Sequence, residues 1–91
     1  MNKSELTSAI AQASGVSKKD SERVLNAIVD IMTQELAKGE RIQLSGFGTF
    51  EVRNREARMG RNPITREAVQ IPATRVPAFK PSKNLKDRVG G

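Results

Sequence analysis

The sequence contains no cysteine, histidine, tryptophan or tyrosine. Without cysteine there is neither a disulfide framework nor a thiolate metal site, and nothing asks for an oxidising compartment. Without histidine the usual general base near neutral pH is missing, together with the imidazole ligand. Catalysis would be left to Asp, Glu, Lys, Ser and Thr. Asp20 with Glu22, or Glu35 with Glu40, could be imagined as metal carboxylates, but each pair falls on an exposed helix face or a helix end. The expectation is therefore no enzyme, no metal, no cofactor and no small-molecule substrate. Long apolar runs are also absent, and residues 1–20 lack the apolar centre of a secretion signal. A soluble, cytoplasmic protein without membrane association is expected.

Aromatic residues number three, Phe47, Phe50 and Phe79, in a chain of 91 residues. A single small domain of this size buries a modest share of its surface, and any long protrusion leaves less still for a core. Oligomerisation is the expected source of the missing burial. The net charge is +6. Residues 1–50 hold six bases against six acids, whereas residues 51–91 hold ten bases against four acids, so the whole excess lies in the second half. A neutral scaffold presenting a basic surface implies a polyanionic partner.

Asn2 followed by Glu5 is an N-cap signal for a first helix with Leu6, Ala9, Ile10 and Ala13 on its apolar face, ended by Gly15. Ser17 and Asp20 start a second helix over about Lys18 to Lys38. Its stripe of Val24, Leu25, Ile28, Val29, Ile31, Met32 and Leu36 is wider than one neighbour requires, so core plus dimer interface is expected. Lys38 and Gly39 stop it. Arg41 to Leu44 and Gly48 to Arg55 alternate as strands around a Ser45-Gly46 turn. Gly46-Phe47-Gly48 lacks the Gly-Lys-Ser/Thr ending of a phosphate loop. Val76 to Lys80 resumes a strand, which Pro72 and Pro77 either confine to an edge or leave unpaired at those positions. Pro81-Ser82 opens a short helix anchored by Leu85 and Val89, with Lys83, Lys86 and Arg88 exposed. The clustered phenylalanines are expected at the centre of the core, where one chain alone could hardly cover them.

Arg53 to Arg75 carries six arginines, no lysine, and only Glu56 and Glu67 as acids. Gly60-Arg61-Asn62-Pro63 is a run of turn formers at its middle, so a protruding basic β-hairpin is expected. Arginines are often no more than a solvated face. Here they lie on both limbs and at the tip, and arginine favours forked contacts to phosphate and insertion into a groove. Met59, Pro63 and Ile64 add apolar groups at an exposed tip. A two-stranded ribbon cannot enter a minor groove about 6 Å wide unless the groove opens, so binding and DNA distortion should be coupled.

The run Gly46-Phe47-Gly48-Thr49-Phe50-Glu51-Val52-Arg53, with Gly60-Arg61-Asn62-Pro63-Ile64-Thr65, Ile71-Pro72-Ala73 and Val76-Pro77-Ala78-Phe79-Lys80-Pro81, resembles the bacterial HU and integration host factor DNA-bending family over essentially the whole chain. That family is itself a known case of wedge-and-bend binding, so the energetics of the wedge come with the resemblance. The resemblance implies an α+β fold in an intertwined homodimer. Two N-terminal helices form a dimerisation part, about 1–40; an antiparallel sheet, a long β-hairpin arm and a short C-terminal helix follow, about 41–91.

The resemblance also assigns residues. Pro63 is the implied intercalating wedge, with Asn62 beside it. Arg53, Arg55, Arg58, Arg61 and Arg66 are implied to line the minor groove, and Arg75 is counted with the arm. Lys3, Lys18, Lys80, Lys83 and Lys86 are implied to hold flanking DNA, and Phe47, Phe50, Phe79, Ile28 and Met32 to form the dimer core. Two positions depart from the common pattern, Arg66 and Ser82, where glycine is frequent. The implied function is sequence-tolerant architectural binding, bending and compaction of double-stranded DNA in the nucleoid, with preference for bent, nicked or otherwise distorted DNA. A site-preferring subunit like integration host factor, able to pair with a paralogue, and an RNA-binding or assembly protein are the alternatives.

Overall fold

A computed structural model describes residues 1–91. The elements are α1 (Lys3–Ser14), α2 (Lys18–Ala37), β1 (Ile42–Leu44), β2 (Gly48–Arg55), β3 (Arg58–Arg61), β4 (Ala68–Ile71), β5 (Thr74–Pro81) and α3 (Lys83–Gly90). They group into two compact units, Met1–Glu35 and Leu36–Gly91. The first unit has four bases against five acids and the second twelve against five, so the second carries the entire positive excess.

Local signals set the helix ends. The Glu5 amide donates to Asn2 Oδ1 at 2.8 Å, and Gly15, at φ 74°, donates its amide to the Ala11 carbonyl. The Asp20 amide donates to Ser17 Oγ at 3.1 Å, and the Leu85 amide to Ser82 Oγ at 3.1 Å. Each side chain satisfies a donor that the first helical turn leaves free. Gly39, at φ 84°, ends α2 one residue earlier than the sequence suggests, its amide bonded to the Leu36 carbonyl.

The first unit buries Thr7, Ser21 and Leu25. The apolar face expected for α1 is not what is covered: Leu6 and Ala9 are exposed and Ile10 half-buried, while Thr7 is enclosed. Thr7 tolerates this because its hydroxyl donates to the Lys3 carbonyl at 2.8 Å, leaving its methyl free to pack. Along α2, Val24, Ile28, Val29 and Ile31 are 45–59% exposed.

In the second unit, β1, β2 and β5 form an antiparallel sheet in that order, and β3 and β4 form a separate two-stranded ladder. β5 lies at the edge, where Pro77, opposite Val52, withholds no ladder bond. The register puts Ile42, Phe50 and Phe79 on one face of the sheet. There the rings of Phe50 and Phe79 lie 4.7 Å apart, and Phe47 lies 5.4 Å from Phe79. Gly48 belongs to this contact: a Cβ there would sit 2.5 Å from both the Lys80 carbonyl oxygen and Phe79 Cε1. The cluster forms as expected, and Phe47 and Phe79 remain 46% and 39% exposed, so one chain does not enclose it, also as expected. On α3, Leu85 is half-buried whereas Val89 is 80% exposed. The expected two-residue anchor is thus a single one, with Val89 lining an open hollow beside Pro81 and Leu85.

Candidate nucleic-acid interface

The arm is two ladders joined through a break. The long ladder ends at the pair Arg55 with Thr74, and the next begins at Arg58 with Ile71. Between them Glu56-Ala57 and Pro72-Ala73 are unpaired. Pro72 has no amide donor, which accounts for the interruption on its strand. The hairpin expected as one ribbon is therefore built in two segments.

The turn also lies further along than the Gly60 to Pro63 run suggests. Gly60 is a ladder residue opposite Val69, and a Cβ on it would meet Ile71 Cδ1 at 2.7 Å. The loop itself runs from Asn62 to Glu67. Asn62 closes it from every side: its amide donates to the Glu67 carbonyl at 2.9 Å and its carbonyl accepts from the Arg66 amide at 2.7 Å. Its Oδ1 accepts from the amides of Ile64 at 2.9 Å and Thr65 at 3.3 Å. This is an Asx arrangement, in which asparagine before proline replaces backbone partners with its own side chain. Asn62, expected beside the wedge as a DNA contact, thus spends its side-chain oxygen on the turn.

Arg66 completes the loop at φ 60°, the one non-glycine residue with positive φ. A side chain in this region costs about 1–2 kcal/mol relative to glycine, so the glycine common here in the resembling family has a backbone reason. Replacing Arg66 with glycine should relieve the strain and slow exchange of the amide hydrogen at position 66, bonded to the Asn62 carbonyl, roughly fivefold. Unchanged or faster exchange would contradict a strained turn.

At the base of the arm, alternation places Thr49, Glu51, Arg53 and Arg55 on the face opposite Phe50, with Thr74, Val76, Ala78 and Lys80 across from them. Glu51 Oε1 lies 3.4 Å from Arg53 Nε and 3.9 Å from Lys80 Nζ. Both cations are more than half exposed, so these pairs orient them without adding much stability. Sequence reasoning singled out the two cations and missed the acid between them; its signal was the i, i+2 spacing of Glu51 and Arg53 within one strand.

Arg75 lies on the other face, opposite Asn54. Its Nη2 donates to the Ala37 carbonyl at 3.4 Å, at the C-terminal end of α2, where a cation meets the unpaired carbonyls of the last turn. The structure thus separates it from Arg53, Arg55 and Lys80. In the first unit, Lys3 and Lys18 line one shallow polar pocket together with Ser4, Thr7 and Glu22. Lys83 and Lys86 are one turn apart on α3, both exposed, and Arg58 and Arg61 are exposed on β3. Pro63 is exposed at the tip, beside Ile64. No group of three or more acidic, histidine or cysteine side chains is placed to hold a metal ion. No helix is long and apolar enough to cross a membrane.

Known proteins are similar to this chain in sequence and in fold. The family model described as bacterial DNA-binding protein matches residues 1–90. DNA-binding protein HU of Geobacillus stearothermophilus is 57% identical over 89 residues, spanning 98% of this chain and 99% of that protein. DNA-binding protein HU 1 of Bacillus subtilis (strain 168) is 55% identical over 91 residues, spanning 100% of this chain and 99% of that protein. Among solved structures, Anabaena HU in a cocrystal with DNA aligns with a TM-score of 0.87 at 46% identity, covering 98% of this chain and 97% of that one. With a family match over nearly its full length and relatives more than half identical to it from end to end, the chain belongs to the family of bacterial DNA-binding proteins that includes HU.

Proposed function

We propose that this protein binds double-stranded DNA as an architectural, sequence-tolerant partner that bends and compacts it, and that it has no catalytic role. The observation that carries this reading is the arm: exposed arginines on β2 and β3 lead to an exposed Pro63-Ile64 tip held by Asn62. A close structural relative was crystallised with DNA. Arg53, Arg55, Arg58, Arg61 and Arg66 neutralise phosphate and line the minor groove, and Pro63 enters a base step. Lys3, Lys18, Lys80, Lys83 and Lys86 hold the flanking duplex once it bends. Arg75, bonded to Ala37, steadies the base of the arm instead.

The acting species in this reading is a homodimer. Its support is the apolar surface that a single chain leaves open, on α2 at Ile28 and its neighbours and at Phe47 and Phe79. Residues 1–40 then serve dimerisation and residues 41–91 carry the DNA surface. A cytoplasmic, nucleoid-associated location and a preference for bent or nicked duplex follow from the same reading, since pre-distorted DNA removes part of the unstacking cost.

Energy transfer between labelled DNA ends tests it, with and without protein, on intact and nicked duplexes. The expected result is a shortened end-to-end distance and tighter binding to the nicked duplex. Pro63→Ala should reduce the bend more than the affinity, because phosphate contacts remain. Equal bending by this variant would remove the wedge, and an unchanged distance with wild type would remove the architectural function.

A further inference from the structure

Ile64 is 90% exposed, more than any other large apolar side chain in the protein. A lone exposed apolar residue means little. This one differs in how it is held and in where it sits. Its amide is pinned to Asn62 Oδ1 at 2.9 Å, inside a loop also closed by the Asn62–Glu67 and Asn62–Arg66 backbone bonds. Its β-branched side chain has few rotamers to lose on binding. It directly follows Pro63 at the tip, and the exposed guanidinium-bearing residues Arg61 and Arg66 flank the pair. Met59 and Val69, also exposed on the arm, stand instead within its ladder, opposite Gln70 and Gly60.

We propose that Ile64 is a second wedge residue, so that each arm presents Pro63 and Ile64 together to one base step; this rests on the DNA-binding reading above. An opened step exposes the apolar faces of two base pairs, wider than a single pyrrolidine ring covers. Isoleucine is among the side chains that can occupy such a gap. The arginines on either side fit the phosphates that border the same step. The chemistry recognised is thus an unstacked base step between two phosphates, with no demand on base identity.

The test compares Ile64→Ser, Ile64→Val and wild type on an intact duplex and on the same duplex carrying a nick with a two-nucleotide gap, where no stack has to be opened. Serine at this solvated position leaves the fold intact, as circular dichroism will verify. Ile64→Ser should bind intact duplex about tenfold more weakly, equivalent to ~1.4 kcal/mol. It should lose much less on the gapped duplex and bend intact DNA less, while Ile64→Val stays near wild type. Equal losses on both duplexes, or no loss on either, would overturn the second wedge and leave Ile64 a solvated turn residue. Failure of wild type to bind either duplex would overturn the DNA-binding reading, and the wedge with it.

Discussion

Ile28→Asp is expected to leave the chain unable to hold its fold at micromolar concentration, whereas the wild type melts at a temperature that rises with protein concentration. A single hydrophobic side chain, Leu25, is buried within one chain. Burying such a side chain contributes about 1.5–3 kcal/mol, while ordering each backbone residue costs about 1–2 kcal/mol. One copy thus buries little apolar surface, and covering the open faces is the expected source of the remaining stability. Val24, Ile28, Val29 and Ile31 supply those faces on α2, and Ile28 is 45% exposed. In a homodimer that covers them, aspartate at 28 places an unpaired carboxylate in each half of the interface. Removing such a charge from water costs several kcal/mol per ion. Analytical ultracentrifugation with thermal melts at several concentrations is the measurement. A dimeric Ile28→Asp with unchanged melting would show that this face of α2 is solvent surface and that burial comes from elsewhere.

What could be foreseen in the residues divides along a physical line. Helix ends and strand limits depend on local chemistry, and the side chains of Asn2, Ser17 and Ser82 cap where their spacing indicates. The strand Gly48 to Arg55 has the limits its alternation predicts. The arm was legible as a basic hairpin, but its turn was placed too early. Gly60 reads as a turn former; the fold uses it instead for the close approach of Ile71 across a ladder. Asn62 decides the position of the turn through bonds to residues two to five further on, a pattern that single-residue turn preferences do not contain. The openness of the phenylalanine cluster was legible, because three aromatics in so short a chain could hardly be covered by it alone. The covered face of α1 was hidden for another reason: it depends on what meets the chain, and apolar periodicity says that a face is sticky without saying which molecule meets it. Arg75 is the third kind of case. It looks like its fellow arginines in composition, and only strand register shows that it faces away from Arg53 and toward Ala37.

That register difference separates two arginines by a measurable quantity. Binding driven by phosphate neutralisation should weaken steeply with salt. For about six to ten phosphate contacts, the logarithm of affinity falls against the logarithm of salt concentration with a slope of about −5 to −9. This corresponds to a loss of about 10³ to 10⁵ in affinity between 50 and 200 mM salt. Arg53→Ala removes an exposed guanidinium from the face shared with Arg55 and Lys80, so in a dimer with two arms it should make the slope shallower by about 2. It should weaken binding to unrelated sequences alike, because phosphate contacts carry no base information. Arg75→Ala should leave the slope nearly unchanged, since its guanidinium is bonded to the Ala37 carbonyl. Its effect should appear as faster hydrogen exchange at the base of the arm, where Asn54 faces Arg75. Fluorescence anisotropy titrations over a salt series distinguish the two variants. Equal slope changes would place both arginines on the DNA, and a wild-type slope near zero would remove the electrostatic mechanism altogether.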